Sequence, residues 1–341
     1  MQIESASIQA PTKGWNTRDP LDSMDEGYAT KLINLYPAHG SVRSRKGSQI
    51  HCDINSAYDI ETLEELPTAS GTSKLIAGCG GSLWDVTTTA PVELESGLLS
   101  SRFYSAIISN RLILCNGVDT PRVYDGMSLS VGTYTGTGLD PKTLIQVCKY
   151  KTRLYFVEKS TANVWYGETA AITGELSKID MSFILHRGGR IAYVAPWSAD
   201  TGVGLADYLV VVSEEGEVLV FSGTDPASVE TWELQNRFFL PAPVAGRRGW
   251  QNIGSDLILV HKGGVTALRS LLSGDTSSTY ASITDTINAA FLEATASWGN
   301  SDGWDLAYHP TGQIIYVNIP VYGSAEQFIT NPVSYTHLRA H

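Results

Sequence analysis

The sequence predicts an all-β protein, a β-propeller of about five to seven blades that is incomplete at its carboxyl end. Three observations support this prediction. Paired apolar runs separated by a short polar turn recur six times along the chain. Charged residues make up only 17% of the 341 residues, and 32 are glycine, which is typical of a chain rich in turns and poor in exposed helix. Apolar residues recur at helical spacing only near residues 279–297.

The clearest repeat lies at residues 208–234. Residues 209–212 are an apolar run, 214–216 supply a polar turn that ends in glycine, and 218–221 begin a second apolar run. This pattern is typical of a β-hairpin whose two strands are both largely buried. Residues 231–234 then alternate like an edge strand. The segment therefore predicts three strands of one small antiparallel sheet.

The same hairpin recurs along the chain. Its first strands begin at spacings of 37, 42, 55, 48 and 57 residues, at Leu75, Leu112, Leu154, Leu209, Leu257 and Ile314. The second strand of each of the first five hairpins carries a large apolar residue, namely Trp84, Tyr124, Trp165, Phe221 and Leu268. Repeats of roughly 40 to 50 residues with about four strands each indicate propeller blades. Because the spacing is irregular, unrelated hairpins in two β domains remain an alternative.

We predict three parts in the chain: an amino-terminal arm and closing strand at residues 1–50, propeller repeats at 51–332, and a non-native tail at 333–341. Basic residues alternate at the end of the arm, along a predicted edge strand. We expect the arm to pin to a neighbouring subunit or to the closing blade, with Arg18 or Arg43 in ion pairs. The candidate interface residues are Arg18, Asp19, Arg43 and Arg45. The alternative is that these side chains form no interface and are ordinary solvated charges on an edge strand.

The arm also carries a series of motif residues. They are Gly14, Asn16, Thr17, Arg18, Asp19, Met24, Gly27, Ala29, Asn34, Pro37, Val42, Arg43, Arg45 and Gly47. With these residues the chain resembles the opening of a family of tailed-bacteriophage structural proteins encoded beside the head-to-tail and tail genes. The resemblance continues at residues 153–166 and 197–226 and in the helical stretch before Trp298. It covers most of the chain, and none of its motifs is a catalytic signature.

The resemblance implies a non-enzymatic component of the virion tail, similar to tail nozzle or hub proteins. Such a protein would form a homo-oligomeric ring, contact other tail or head-tail connector proteins, and line part of the passage for genomic DNA. It would be located in the virion after assembly in the bacterial cytoplasm. The alternative function is a carbohydrate-binding or glycan-cleaving propeller at the host surface, in which exposed Trp15, Trp197 or Trp250 stack on sugars.

The formal charge of -11 argues against general binding to the outside of a nucleic acid, because phosphate contacts require Lys and Arg. A negatively lined passage through which DNA slides is compatible with it. Arg247 and Arg248 are candidate phosphate contacts in such a channel, although adjacent arginines on a loop are more commonly solvated. The sequence contains neither a charged-then-apolar leader nor an apolar run of about 18 residues, so we expect no membrane insertion.

We expect no metal or cofactor. The four cysteines, Cys52, Cys79, Cys115 and Cys148, are far apart and have no ligand spacing, which predicts buried free thiols in a reducing compartment. Asp200, Gly202, Gly204 and Asp207 are candidate calcium ligands on a Gly-rich loop. However, that loop lacks the dense Asp pattern of an EF-hand.

We also expect no catalytic residue. The chain contains neither a GxSxG elbow nor a P-loop, and the segment around Asp302 has the ingredients of a sialidase Asp box in the wrong order. Glu214 and Glu215 share one turn, where we expect them to be solvated and not buried as acid/base chemistry requires.

Two features mark the last third of the chain. The residues at helical spacing predict one helix, with Ser282 or Thr284 as its cap; they are Ile283, Ile287, Ala290, Phe291 and Ala294. Residues 333–341 (VSYTHLRAH) resemble the translation of an adapter used in DNA library preparation. We therefore expect the native protein to be longer, with one or more blades missing here.

Overall fold

The structure of the protein is a computed structural model that describes residues 9–38, 40–68, 71–200, 205–272, 282–321, 326–330 and 337–340. The chain divides into two compact units. One unit is Gln49–Leu240, and the other combines Met1–Ser48 with Pro241–His341. The predicted division into arm, propeller and tail stays a prediction.

The arm contains four short strands. Strands β1 (Gly14–Trp15) and β2 (Tyr28–Ala29) pair in parallel, and β3 (Leu35–Ala38) and β4 (Ser41–Ser44) form an antiparallel hairpin. Gly14 and Gly27 have φ angles of 95° and 91°, a region that glycine enters without steric cost. The two glycines therefore allow the chain to turn at this first pair of strands.

Gln49–Leu240 contains four sheets, each built from strands that follow one another in the chain. All strand pairs in them are antiparallel except the parallel pair of Tyr134–Thr135 with Gly174–Asp180 in the third sheet. The first sheet contains β5 (Ile60–Leu66), β6 (Lys74–Cys79), β7 (Ser82–Asp85) and β8 (Val92–Glu95). The second contains β9 (Tyr104–Ile108), β10 (Arg111–Cys115), β11 (Arg122–Tyr124) and β12 (Leu129–Val131). The third contains β13 (Tyr134–Thr135), β14 (Leu144–Tyr150), β15 (Arg153–Glu158), β16 (Asn163–Gly167) and β17 (Gly174–Asp180). The fourth contains β18 (Ile191–Asp200), β19 (Leu205–Ser213), β20 (Glu217–Gly223) and β21 (Trp232–Phe239).

The core of this unit lies between successive sheets. One apolar cluster joins Ile76 of the first sheet to Tyr124 of the second, and another joins Ile113 of the second to Phe156 of the third. A further cluster joins the third sheet to Val211 of the fourth. Each middle strand buries apolar side chains on both of its faces. This explains why the sequences of these strands are continuous apolar runs and do not alternate between apolar and polar residues.

The other unit contains two more sheets and two helices. The first of these sheets contains β22 (Trp250–Ile253), β23 (Asp256–His261) and β24 (Gly264–Ala267), and is followed by α1 (Leu268–Leu272) and α2 (Asn288–Trp298). The last contains β25 (Asp305–His309), β26 (Ile314–Ile319), β27 (Glu326–Thr330) and β28 (His337–Ala340). Its core includes Trp15 from the arm together with Phe291, Trp304 and Phe328.

The protein is therefore all-β, and its six blade sheets confirm the predicted β-propeller class and lie within the predicted range of about five to seven. The recurring hairpins are confirmed as well, but the placement of Leu268 on a second strand was wrong, because β24 ends at Ala267 and Leu268 begins α1. Trp84 pairs with Ala77, Trp165 with Phe156 and Phe221 with Leu209. All four cysteines are free, and Cys79, Cys115 and Cys148 are buried as predicted. Burial raises the pKa of the Cys115 and Cys148 thiols.

The helix boundaries and caps differ from the prediction. Residues 279–281 lie outside the described part of the chain, and α2 begins only at Asn288. Ser282 and Thr284 do not cap it, because both hydroxyls contact the backbone of Val265 on β24. The short α1 was not predicted.

Two other predictions fall partly outside the described residues. In the proposed calcium loop, Gly202 and Gly204 lie outside the described residues. Asp207 lies on β19, and its carboxylate accepts a hydrogen bond from the Ser198 hydroxyl. Within the described ranges, no group of three or more His, Cys, Asp or Glu could hold a metal ion. Likewise, none of the described helices is both long and apolar enough to cross a bilayer. Of the predicted non-native tail, 333–336 and 341 are not described, and 337–340 form β28.

Candidate functional site

The candidate site is the amino-terminal arm, where the motif residues cluster. Trp15 is only 6% exposed and anchors the arm in the core of its unit. Its indole Nε1 donates a hydrogen bond of 2.9 Å to the Thr30 carbonyl, and its ring centroid lies 6.0 Å from that of Phe328. An aromatic residue with a satisfied polar atom buries a large apolar area. Trp15 therefore joins the beginning of the chain to the last blade sheet.

Asn16 shapes the next turn of the arm. Its buried Oδ1 accepts hydrogen bonds from the backbone N–H groups of Arg18 and Asp19, at 2.9 and 3.0 Å. Its Nδ2 donates to Asp19 Oδ2 at 2.8 Å. An Asn side chain that binds the backbone two residues ahead forms an Asx turn. The turn that they form thus explains the motif residues Asn16 and Asp19.

Thr17 connects the arm to α2. The Thr17 N–H donates to the Thr286 carbonyl at 2.8 Å, and Thr17 Oγ1 accepts from the Ala290 N–H at 3.3 Å. The residue at the N-cap position of α2, Ile287, has no side chain that can accept this bond. Thr17 therefore supplies the capping oxygen from a distant part of the chain. Sequence reasoning missed this role, because cap signals are sought next to the helix.

Arg18 completes the contact. Its Nε donates to Asp19 Oδ1 at 2.8 Å, and its Nη1 donates to Asp285 Oδ2 just before α2. The hydrogen bond to Asp19, followed by the charge of Asp285, raises the pKa of the Arg18 guanidinium. Hydrogen bonds from Arg18 and Asn16 lower the pKa of Asp19. Two predicted interface residues, Arg18 and Asp19, thus bind within their own unit.

Arg43, Arg45 and Lys46 form what we call the basic edge. All three are exposed, and Arg43 lies on β4. The Arg45 N–H donates to the Asn34 carbonyl at 2.8 Å, which fixes the chain just after the strand. In the described part of the protein no carboxylate pairs with the three cations of the basic edge. The basic edge is therefore available to a partner.

Arg247 and Arg248 lie in the segment that precedes β22, and both are half-buried. The Arg248 carbonyl accepts a hydrogen bond of 3.2 Å from the Leu306 N–H, so the backbone is tied to β25. A Cβ atom added to the preceding Gly246 would lie 2.8 Å from Trp304 Cβ. This close packing holds the arginine pair against the last blade sheet. Contact of the pair with DNA stays a prediction.

The negative charge is unequally divided between the two units. Gln49–Leu240 contains 23 Asp and Glu against 13 Lys and Arg, a difference of -10. The other unit contains the remaining 12 acidic and 11 basic residues, a difference of -1. Nearly all of the net charge of -11 thus belongs to the unit that does not contain the arm. Among its exposed carboxylates is Glu93, on the outermost strand of the first sheet.

The tryptophans expected to stack on sugars are mostly inaccessible. Trp15 is buried, and Trp197 is only 3% exposed with its ring 5.4 Å from that of Tyr208. Trp250 is half-buried. The expectation of exposed Trp15 and Trp197 was therefore wrong, because both side chains fill space in the core.

The most buried acidic residue, Glu217, supports a loop. Its carboxylate accepts from the N–H groups of His186 and Arg187 at distances of 2.7 to 3.0 Å. Arg237 Nε lies 3.2 Å from Glu217 Oε1. These contacts hold the loop before β18, and the sequence offered no signal for them because the partners are 20 to 31 residues away. In contrast, Glu215 is exposed and Glu214 half-buried on the turn where solvated carboxylates were expected.

Comparisons with known proteins indicate only the fold. No protein-family model and no curated protein matches the chain. One similar structure is YCF48 bound to D1 peptide, with 13% identity, a TM-score of 0.43, and coverage of 85% of this chain and 86% of that chain. Another is YCF48 from Cyanidioschyzon merolae, with 10% identity, a TM-score of 0.48, and coverage of 85% and 87%. A chain of the Mitotic Checkpoint Complex has 11% identity, a TM-score of 0.46, and coverage of 86% and 85%. At these values the similarity carries no argument about function.

Proposed function

We propose that this protein is a non-enzymatic structural component of a tailed-bacteriophage virion, similar to a tail nozzle or hub protein. Copies of it form a ring in the tail and line part of the passage for genomic DNA. Other tail or head-tail connector proteins are its neighbours. The proposal begins from the motif residues that resemble that family.

The observation that carries the proposal is the joint use of those motif residues. Asn16 shapes the turn, Thr17 caps α2 and Arg18 pairs with Asp285. Three of the residues behind the resemblance therefore act together where the arm contacts α2 and are not scattered matches. A motif whose members share one structural role supports the resemblance more strongly than the same residues dispersed over the surface.

The charge distribution supports the mechanical part of the proposal. A unit with a net charge of -10 repels the phosphates of duplex DNA, and this repulsion disfavours stable binding. A wall that does not bind DNA permits the molecule to slide past it. The ring would thus act as a conduit and not as a DNA-binding site.

The test examines purified protein for assembly and for two kinds of ligand. Electron micrographs and mass photometry should show ring-shaped oligomers, and a mobility-shift assay should show no retention of duplex DNA even at low salt, where phosphate contacts are strongest. Incubation with bacterial cell-wall glycans should release no reducing ends. A protein that stays monomeric at every concentration, or that cleaves or binds glycans, would contradict the proposal.

A further inference from the structure

We propose that the basic edge of one copy docks on strand β8 of a second copy, so that the β3–β4 hairpin extends that copy's first sheet. This inference rests on the ring proposed above and identifies its subunit contact. It concerns two strand edges that the described structure leaves uncovered.

The donor is the β3–β4 hairpin. It is a sheet of two strands, and among the described residues β4 pairs with no strand other than β3. An uncovered edge offers unpaired backbone N–H and C=O groups to another strand. Arg43 and Arg45 are two positions apart, so in an extended chain their side chains point to the same side. The hairpin thus presents a free strand edge together with positive charge.

The acceptor is strand β8. It ends the order β5, β6, β7, β8, so in the described structure its outer edge is free as well. Val92 is 60% exposed, and Glu93 is exposed without an ion pair in the described part of the chain. Glu95 is two positions further and is held by Arg122, with both hydrogen bonds at 2.7 Å. Glu93 is therefore the carboxylate on β8 that can pair with a cation of the basic edge of a second copy.

The charges of the two edges are complementary. Opposite charges on directly facing strands attract, and like charges there repel. The basic edge belongs to the unit with a net charge of -1, and β8 belongs to the unit with a net charge of -10. Since the two surfaces differ, the contact joins head to tail, and repeated head-to-tail contacts close into a ring when the rotation permits. A second copy of this chain is thus the partner that fits both edges.

The test uses two charge-reversed variants and their mixture. R43E/R45E places Glu against Glu93, and E93K places Lys against the basic edge, so each variant alone should self-associate at least tenfold more weakly than the wild type. In an equimolar mixture each contact between the two variants again joins opposite charges. Mass photometry should therefore show that mixing restores oligomers, and that these are rings of the wild-type size where the wild-type ring has an even number of subunits.

Two matched controls separate this contact from a general charge effect. Lys31 is an exposed arm cation outside the basic edge, and Glu175 is an exposed carboxylate on β17 of the third sheet, opposite Thr135 of β13. K31E and E175K should assemble like the wild type. Circular dichroism and thermal melting should show that all four variants fold.

The outcomes distinguish this inference from the function on which it rests. Rings that persist in R43E/R45E and in E93K, or a mixture that fails to restore assembly, would overturn the proposed contact while the ring itself stands. A wild-type protein that never forms rings would overturn the ring and the contact together. Retention of duplex DNA that is lost in R43E/R45E would assign the basic edge to phosphate and would also overturn the proposed contact.

Discussion

Arg18 and Asp285 form an ion pair although 267 positions separate them in the chain. The pair joins the amino-terminal arm to the turn before α2, and Thr17 and Trp15 make further contacts beside it. Both charged side chains are nearly half exposed, at 47% and 45%. Exposed pairs contribute little free energy because water screens them. The pair therefore sets the register of the arm, while the buried Trp15 supplies most of the stabilisation.

The first prediction compares these two contributions. Trp15→Ala should lower the free energy of unfolding by roughly 3 to 5 kcal/mol, because it removes a buried aromatic side chain and leaves a cavity. Arg18→Ala should cost no more than about 1 kcal/mol. Urea denaturation measures both values. Leu21→Ala, at a position that is 79% exposed, is the control and should change stability by less than about 0.5 kcal/mol. If Trp15→Ala and Arg18→Ala lowered the free energy of unfolding equally, Trp15 would not be the main source of the stabilisation.

The second prediction concerns the cap that Thr17 provides. Thr17→Val keeps the shape of the side chain and removes the oxygen that accepts from Ala290. Loss of a capping oxygen costs about 0.5 to 2 kcal/mol. Hydrogen exchange should become faster at the first turn of α2. Thr30→Val, at an exposed position in the same arm, should leave exchange in α2 unchanged. Unchanged protection in Thr17→Val would show that the helix does not depend on the arm.

The third prediction concerns Glu217, which is fully buried. Glu217→Ala leaves the guanidinium of Arg237 and two loop N–H groups without their carboxylate, so it should cost roughly 3 to 5 kcal/mol. Chemical denaturation measures the loss, and proteolysis should cut near residues 186–187 first. Glu215→Ala removes an exposed carboxylate from the neighbouring turn and should be nearly neutral. A small cost for Glu217→Ala would mean that the loop is held mainly by its apolar contacts.

The fourth prediction is a dependence of stability on pH that originates at His261. Burial lowers the pKa of this residue to about 4, and its Nε2 lies 2.9 Å from Thr266 Oγ1. The unfolded chain binds the proton near pH 6.5, whereas the folded protein resists protonation until about pH 4. Stability is therefore full above pH 6.5 and falls as the pH decreases toward 4. The total loss is roughly 3 kcal/mol.

His261→Gln should remove this part of the pH dependence, and denaturant melts between pH 7 and pH 4 would measure it. His309 is exposed, so His309→Gln should follow the wild-type curve. A wild-type stability that is flat over this range, after the carboxylates are accounted for, would show that His261 can be charged inside the fold.

Prediction from the sequence was correct where the residues of a single strand were sufficient to indicate its burial. The runs that begin at Leu112 and Leu209 lack alternation, and both strands proved to be buried on two faces. Prediction failed where partners were distant. Ser282 and Thr284 have hydroxyl groups that could cap a helix, but these hydroxyls hydrogen-bond to the backbone of Val265 on β24. Thr17 caps α2 instead. The sequence also did not reveal that Trp15 and Trp197 are buried, because an aromatic side chain is suited both to a core and to an exposed binding surface.

The sequence by itself determined the all-β class, the repeated hairpins and their turns, and the burial of three cysteines. These properties depend on local periodicity and on the conformations that glycine permits, so neighbouring residues are sufficient to specify them. Only the tertiary structure decided that Arg18 binds Asp285, that Thr17 caps α2, and that Glu217 holds its loop. Such contacts join residues that are far apart in the chain, and no local pattern specifies which distant group will satisfy a given charge or hydrogen bond.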